Sequence, residues 1–158
     1  MWALYAAPTI AIAPVIILIF GMGATATILV ITINAFFPLA INTMDGVATV
    51  DENLVKAARV FGANRFQVFR RVVVPYILPW ILVGLRLAVT LALLGMIFVE
   101  VFFSPRGLGY LIREASDVGD AATTYAVIMI VVISSVVFVQ SFRLLESKFI
   151  PWSREVQL

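Results

Sequence analysis

Few residues in this chain could take part in catalysis, and the two residue types that most often do so are missing. The sequence contains no cysteine and no histidine, which excludes disulfides, thiolate metal sites, Ser-His triads and the histidine motifs of zinc proteases. The phosphate-binding pattern G-x-x-x-x-G-K-[ST] is absent as well. The sequence therefore predicts no catalytic residue, no metal site, no cofactor and no ATP-binding loop of that type.

The most informative spacing lies in residues 51–62, which are typical of a short amphipathic helix. Asp51 suits the N-cap, where a carboxylate accepts from the first free amides. Gly62 suits the left-handed position that closes a helix. The charged side chains of the segment fall outside its apolar stripe. That stripe, at positions i, i+3, i+4 and i+7, consists of Leu54, Ala57, Ala58 and Phe61.

Two interpretations of this segment remain open from periodicity alone. It is either a solvated connector with a basic rim or a surface on which another protein docks. Small residues such as Gly62 and Ala63 favour docking because they let two backbones approach closely, and Phe61 and Phe66 provide aromatic anchors. A second helix is predicted to start at Asn64, and Pro75 to stand near the start of the apolar run that follows.

The composition shows which elements must position these residues. The chain has 158 residues, of which 63% are hydrophobic and 13% are charged, whereas a soluble domain is about half apolar and about a quarter charged. A soluble domain of this size leaves about 30% of its chain surface in water, and this chain has too little polar surface for that. The composition excludes a soluble enzyme and a disordered chain, and it predicts a protein embedded in lipid.

Long uncharged runs divide the chain into membrane spans. Residues 1–44 carry no charge and would extend about 66 Å as one helix, twice the roughly 30 Å of a bilayer core, so we expect them to turn at residues 21–23. The runs are continuous rather than alternating, which favours helices over the strands of a barrel. The sequence predicts four helical spans, near 2–20, 24–43, 76–99 and 122–142.

The distribution of lysine and arginine predicts the orientation of the chain. Residues 45–71 hold five basic side chains and the tail 143–158 holds three, whereas residues 100–120 hold two against four acidic ones. The positive-inside rule places the first two segments and both termini in the cytoplasm, and the loop 100–120 outside. On this interpretation the basic rim of residues 45–71 lies at the membrane interface. A net charge of only +2 gives no indication of nucleic-acid binding.

Arg86 is the one charged residue between 72 and 99. It lies about 11 residues beyond Pro75, or roughly 16 Å along a helix, which is near the middle of a membrane if the helix enters the lipid at Pro75. Charges inside a membrane are costly and are functional candidates by default, so Arg86 is a candidate to line a pathway for anionic solutes. The alternative is a structural arginine that reaches the headgroups or bonds to carbonyls of a neighbouring helix.

The spacing around the charged segment resembles a known signature. Lys56-Ala57-Ala58, three residues, Gly62, nine residues and then Val72-x-Val74-Pro75 are similar to the EAA-x3-G-x9-I-x-L-P signature of ABC-importer permeases. Flanking sequences resemble the branch of that family that handles nitrate, sulfonates and taurine. These flanking sequences are residues 35–38 (AFFP), 42–43 (NT), 78–79 (LP), 84–86 (GLR) and 107–112 (GLGYLI).

The resemblance implies partners and a set of docking residues. It implies a second permease chain, expected to form a homodimer with this one. It also implies a separate ATP-binding ABC ATPase subunit and an extracytoplasmic solute-binding protein, assembled around a protein held in membrane lipid. Residues 51–63 would be the coupling helix that docks on the ATPase. The docking residues carried over from the signature and its surroundings are Leu54, Lys56, Ala57, Ala58, Phe61, Gly62, Ala63, Phe66 and Pro75.

Two departures from the family pattern are visible. Lys56 stands where the signature has glutamate, and permeases of this family are longer, with further spans ahead of the region that this chain resembles. We expect an all-α polytopic membrane protein of the bacterial inner membrane, a partial transmembrane domain of a type I ABC importer, that is a permease and not an enzyme. The alternatives are a non-transporting membrane scaffold or a truncated permease remnant, with a secondary transporter as a weaker rival.

Overall fold

The structure is a computed structural model that describes the backbone of residues 9–149 and the side chains of residues 11–141. Every regular element in this part of the chain is helical, as the continuous apolar runs predict. In chain order the elements are a 3₁₀ turn (Thr9–Ile12), α1 (Ala13–Phe20), α2 (Ala24–Ala48), α3 (Glu52–Val60), α4 (Arg65–Val68), a π-helical segment (Phe69–Val73), α5 (Val74–Phe103), α6 (Leu108–Asp117) and α7 (Ala121–Phe149).

Three helical stretches among the described residues are long and apolar enough to cross a membrane. They are Ala24–Ala48, Arg65–Phe103 and Ala121–Ser141, and they overlap the last three of the four predicted spans. The first predicted span, 2–20, lies partly outside the described residues, and its described part forms the 3₁₀ turn and α1. The number of four spans therefore stays a prediction, as does the tail at 143–158, most of which also lies outside.

Helices α2 and α5 form the central pair because small residues of α5 let the two backbones meet. A Cβ atom on Gly84 would lie 3.2 Å from the Leu39 Cα and 3.2 Å from the Pro38 carbonyl oxygen. Nearer the other end of α5, a Cβ on Gly95 would lie 3.2 Å from the Asn34 Nδ2. Lipid supplies no hydrophobic drive between helices, so close packing of this kind holds them together.

Polar side chains of α2 lie inside this helix pair and bond to their own helix. Asn34 is 4% exposed and its Nδ2 donates to the Val30 carbonyl at 2.9 Å. The Asn42 Nδ2 donates to the Pro38 carbonyl at 2.8 Å. Pro38 lacks an amide hydrogen, so α2 loses one backbone hydrogen bond at that turn. Asn34 is buried and Asn42 is half-buried, and both amides have the hydrogen-bond partners that polar groups in lipid need.

The helix that contains the third predicted span begins before Pro75. Pro75 was expected to stand near the start of the apolar run, and helical backbone runs past it from Arg65 through the π-helical segment to Phe103. The π-helical segment ends just before Pro75, which lacks the amide hydrogen that a continuous helix would use there. The continuous helix of 39 residues is about 58 Å long, which exceeds the roughly 30 Å bilayer core. Part of this helix would therefore extend beyond a bilayer core that it crossed upright.

A carboxylate of α5 fastens α6 to the end of the membrane helix. The Glu100 Oε2 accepts from the Gly109 amide at 3.0 Å, in the first turn of α6. A Cβ on Gly109 would lie 2.7 Å from the Ile97 carbonyl oxygen and 2.8 Å from the Val101 amide nitrogen. Gly107 has a φ of +113° and also lies against the Glu100 carboxylate. The two glycines are therefore required for α6 to lie directly on α5.

Replacing Glu100 by alanine is expected to release the start of α6. The Gly109 amide loses a charged acceptor, a loss of about 1–2 kcal/mol, and the local opening of α6 should become correspondingly more frequent. Hydrogen exchange followed by mass spectrometry measures this as faster exchange at residues 109–112. Glu114→Ala, which removes an exposed carboxylate from the same helix, is the matched control. Equal exchange rates in the two variants would contradict this role of Glu100.

Helix α7 begins at a well-formed cap and then leaves most of its surface uncovered. The Thr123 hydroxyl donates to the Asp120 carboxylate at 2.6 Å and the Thr123 amide donates at 3.0 Å. These bonds, the hydroxyl first, hold the pKa of Asp120 below its usual value. The cap therefore contributes stability above the ordinary carboxyl pKa and is lost as the pH falls through the lowered value. Beyond it, Val127 is the one buried residue among the described side chains of α7.

Candidate docking surface

The charged segment folds as the short helix α3, with the cap that its sequence predicts. The Asp51 carboxylate accepts from the Asn53 amide at 2.8 Å, and Glu52 stands in the first turn, where its charge suits the helix dipole. Lys56 reaches back one turn to Glu52, with 3.0 Å between Nζ and Oε2. Both side chains are largely exposed, so this pair contributes little to stability. Lys56 at the signature's glutamate position is therefore held on the surface of α3.

The turn after α3 is closed by a Schellman motif centred on Gly62. Gly62 has a φ of +82°, the left-handed conformation that its position predicts. The Ala63 amide donates to the Ala58 carbonyl at 3.0 Å and the Gly62 amide donates to the Arg59 carbonyl at 2.9 Å. These two bonds satisfy carbonyls that a helix end otherwise leaves open. The turn is therefore fixed by its own hydrogen bonds.

A reciprocal capping box fixes the start of the next helix. The Asn64 side chain accepts from the Gln67 amide at 2.8 Å, and the Gln67 side chain accepts from the Asn64 amide at 2.9 Å. Such a box satisfies two open donors at once. The second helix thus begins at Asn64 as predicted, and only one residue, Ala63, separates the two caps. The segment therefore consists of two short helices joined by a turn that is capped on both sides.

Large apolar side chains stand exposed around this rigid turn. The side chain of Phe61 is 91% exposed and that of Val60 is 85% exposed. In the described part of the chain no other segment covers them. Val60 and Phe69 were not among the predicted docking residues, and Val60 lies off the predicted stripe of α3. We call this group the loop surface. It consists of Leu54, Val60, Phe61, Phe66 and Phe69.

The predicted docking residues are brought together in part. One cleft of about 380 Å³ lies between α3 and the following helix. It is lined by four of the predicted docking residues, Ala58, Phe61, Gly62 and Ala63, and also by Gln67, Arg71 and Val72. Leu54 and Phe66 belong to the exposed loop surface, while Lys56 and Ala57 are exposed on α3. Pro75 does not line the cleft, because it lies beyond the π-helical segment in α5.

Arg86 lies half-buried on α5, away from α2. At 100° per residue it is about 200° around the helix from Gly84, which faces α2. Thr90, one turn further on, donates from its hydroxyl to the Arg86 carbonyl at 3.0 Å. Thr90 also lines an apolar groove of about 510 Å³ between α5 and α7, opposite Ser135. Arg86 is therefore on the side of α5 that turns toward α7.

Comparison with known proteins assigns a family to this arrangement. Residues 1–151 match the family described as "Binding-protein-dependent transport system inner membrane component". The chain is 37% identical over 145 residues to the putative aliphatic sulfonates transport permease protein SsuC of Bacillus subtilis, covering 92% of this chain and 52% of that protein. It is 32% identical over 150 residues to the taurine transport system permease protein TauC of Escherichia coli, covering 95% of this chain and 54% of that protein.

A third relative is named for a different class of solute. The riboflavin transport system permease protein RibX of Chloroflexus aurantiacus is 33% identical over 147 residues, covering 93% of this chain and 55% of that protein. The chain thus spans about half the length of the relatives it matches. The family match covers nearly the whole chain and agrees with the resemblance that the signature around Gly62 indicates. The all-helical fold and the membrane-length helices agree with the same family. This chain belongs to the inner-membrane permease components of binding-protein-dependent ABC importers.

Proposed function

We propose that the chain is a membrane-spanning part of an ATP-driven importer and that its loop surface docks on the ABC ATPase subunit. The observation that supports docking most directly is the exposed apolar side chains on a turn fixed at both ends by caps, at Gly62 and Asn64. Exposed aromatic side chains on a rigid support are typical of protein interfaces. A solvated connector would need neither the aromatic surface nor the two caps.

The helical connection gives this surface a mechanical role. The loop surface is linked to α5 through α4 and the π-helical segment, without a loop between Arg65 and Phe103. A displacement of the turn by the ATPase would therefore move α5 as a rigid body. Because α5 packs backbone to backbone on α2 at Gly84, the two helices would move together. ATP binding and hydrolysis would take place in the partner subunit.

The remaining partners follow from the same role. A second permease chain would complete the translocation pathway, and the uncovered face of α7 offers a surface that such a chain or lipid could cover. We place residues 45–71 and both termini in the cytoplasm on the basis of the charge distribution, with the α5–α6 turn outside, where a solute-binding protein would dock. The chain would lie in the inner membrane of a bacterium.

The solute we propose is a small organic compound that carries an anionic sulfonate group. Two relatives are named for aliphatic sulfonates and taurine, and a sulfonate carries a permanent negative charge. Arg86 is the candidate residue on the pathway, because it is the one charged residue between 72 and 99 and lies on the side of α5 away from α2. A guanidinium there would favour an anion over a neutral or cationic solute.

The test is ATP-driven uptake in proteoliposomes. The chain is reconstituted with the ABC ATPase, solute-binding protein and any further permease chain of its own system, and uptake of labelled taurine and of an alkanesulfonate is measured with and without ATP. We expect ATP-dependent uptake of at least one of them, and Arg86→Gln should lower it about tenfold or more while ATPase binding is unchanged. If the ABC ATPase neither binds the chain nor supports uptake, the alternative of a membrane scaffold or a permease remnant is favoured.

Arg113→Gln, outside the predicted spans, is the matched control for the loss of one positive charge. The Arg113 Cζ lies 5.3 Å from the centre of the Tyr110 ring in α6, whereas the pathway candidate Arg86 lies in α5. An equal loss of uptake in both variants would indicate a general effect of charge and contradict the pathway role of Arg86.

A further inference from the structure

The start of the long membrane helix carries a concentration of positive charge, and one of its arginines, Arg71, also lines the cleft of the predicted docking residues. Between Glu52 and Glu100 the sequence has no acidic residue. Among the described residues the ion pair formed in this segment is that of Lys56 with Glu52. Its arginines make no ion pair within the described part of the chain and stand exposed; they are Arg59, Arg65, Arg70 and Arg71.

Two of these arginines lie where the membrane helix meets the bilayer surface. Arg70 and Arg71 occupy the π-helical segment, and the next charged residue is Arg86, fifteen positions after Arg71. The uncharged run that starts at Val72 is the predicted apolar part of this span, so we expect both guanidinium groups to lie at headgroup level. The placement depends on the apolar run alone, and it holds for either orientation of the chain.

The side chains around these arginines form a cleft of suitable size and chemistry. Arg70 and Arg71 line a cleft of about 350 Å³ together with Phe66 and Gln67. The Gln67 Oε1 is occupied by the Asn64 amide, which leaves the amide nitrogen of Gln67 as the donor that can face the cleft. The polar groups available there are donors, and Phe66 provides an apolar wall. Guanidinium groups bind phosphate oxygens well because their donors match the spacing of two oxygens.

We propose that this cleft binds the phosphate of an anionic phospholipid headgroup, such as phosphatidylglycerol. A lipid phosphate is already held at the depth of Arg70 and Arg71, and its acyl chains would continue along the apolar surface of α5. An acidic protein surface is the alternative occupant, because Arg71 also lines the neighbouring cleft with Phe61. Basic side chains beside a membrane span each favour anionic lipid by about fivefold. The inference concerns lipid binding and does not depend on the proposed transport function.

Quenching of Trp80 fluorescence tests the proposal in the purified full chain. Trp80 is partly exposed on α5 and lies nine residues, or about 14 Å, below Arg71, at the depth of the acyl chains. In a Trp2→Phe, Trp152→Phe background the chain is reconstituted into mixtures of dibrominated and plain phosphatidylglycerol or phosphatidylcholine. We expect dibrominated phosphatidylglycerol to quench at several-fold lower mole fraction than dibrominated phosphatidylcholine.

The variants separate charge from structure. The double variant Arg70→Gln, Arg71→Gln should lose the preference for phosphatidylglycerol, and Arg70→Lys, Arg71→Lys should keep most of it. Arg106→Gln, Arg113→Gln, which removes the same charge from the α5–α6 turn and α6, should leave it unchanged. Equal quenching by the two lipids in the unmodified chain, or an equal loss in both double glutamine variants, would overturn the proposal.

Two further arms exclude other sources of the effect. Added inorganic phosphate at millimolar concentration should not reduce the preference for phosphatidylglycerol, because the lipid headgroup is present at far higher local concentration. Full displacement of the lipid by phosphate would indicate a site for free anions and overturn the lipid assignment. If the double glutamine variant keeps the lipid preference and loses binding of the ABC ATPase, the arginines serve the ATPase and the proposal is wrong. The quenching experiment contains no ATP, ATPase or solute, so its failure leaves the proposed function unaffected.

Discussion

Replacing Gly62 by valine is expected to reduce co-purification of the ABC ATPase subunit with this chain by at least tenfold. The effect would come from the backbone, because a Cβ at Gly62 would meet nothing within 4 Å. At a φ of +82° an ordinary L-residue loses about 1–2 kcal/mol and a β-branched residue more. The turn would relax, the Ala63 bond to the Ala58 carbonyl would open, and the loop surface would lose its fixed shape.

A matched control for this substitution exists in the turn before α7. Gly119 has a φ of +74° and its Cβ would also meet nothing within 4 Å, so Gly119→Val imposes a similar strain at a site with no proposed contact to the ATPase. Affinity purification of the tagged chain from cells that co-express the ATPase of its system measures the effect. Retention of the ATPase by Gly62→Val, or an equal loss in Gly119→Val, would contradict docking through this turn.

A further substitution separates the shape of the turn from side-chain bulk. Asparagine adopts the left-handed conformation more readily than other non-glycine residues, so Gly62→Asn should retain more ATPase than Gly62→Val. Gly62→Asp shares that tolerance but adds a negative charge beside Phe61 and Ala63. A stronger loss in the aspartate variant than in the asparagine variant would indicate that the ATPase contacts the turn directly.

The features of the loop that could be predicted from sequence are those that local bonds determine. The cap at Asp51, the left-handed Gly62 and the helix start at Asn64 each depend on hydrogen bonds within a few residues, so the residue types alone indicate them. The exposure of Phe61 could not be predicted in the same way, because the stripe that contains it is equally compatible with a buried face. Exposure depends on what the rest of the chain leaves uncovered.

The contacts between distant segments were not visible in the sequence. Glu100 lies in the predicted outer loop 100–120, and in the structure its carboxylate accepts from the Gly109 amide, nine residues on, across a turn. The apolar groove between α5 and α7 was missed as well, since its wall combines Thr90 and Phe98 with Val131. In an almost uniformly apolar chain, hydropathy does not indicate which faces meet; the glycines at the contacts carry that information.

The contact between α2 and α5 leads to the second large expected effect, in which Gly84→Leu separates the central helix pair. A Cβ at this position would lie 2.8 Å from the Asn42 Cβ and 3.2 Å from the Leu39 Cα, so part of the obstruction is backbone and cannot rotate away. Overpacking of this kind costs about 3 kcal/mol or more. We expect a large fall in folded yield and an earlier thermal transition in detergent.

Two other glycines calibrate this prediction, and their order follows from what each would meet. Gly23 has an extended backbone, with φ of 167°, and open space around its Cβ, so Gly23→Leu should leave the transition unchanged. Gly95→Ala meets the end of the Asn34 side chain at 3.2 Å, which can yield slightly, so its effect should be intermediate. If Gly84→Leu had the same thermal transition temperature as Gly23→Leu, the close approach of α2 and α5 would not hold the pair together.

Because the helical stretch Arg65–Phe103 joins α5 to the loop surface, a separated pair should also lose ATP-driven uptake even where the ATPase still binds. Loss of uptake with retained binding would place the defect in the helix pair and not in the turn at Gly62.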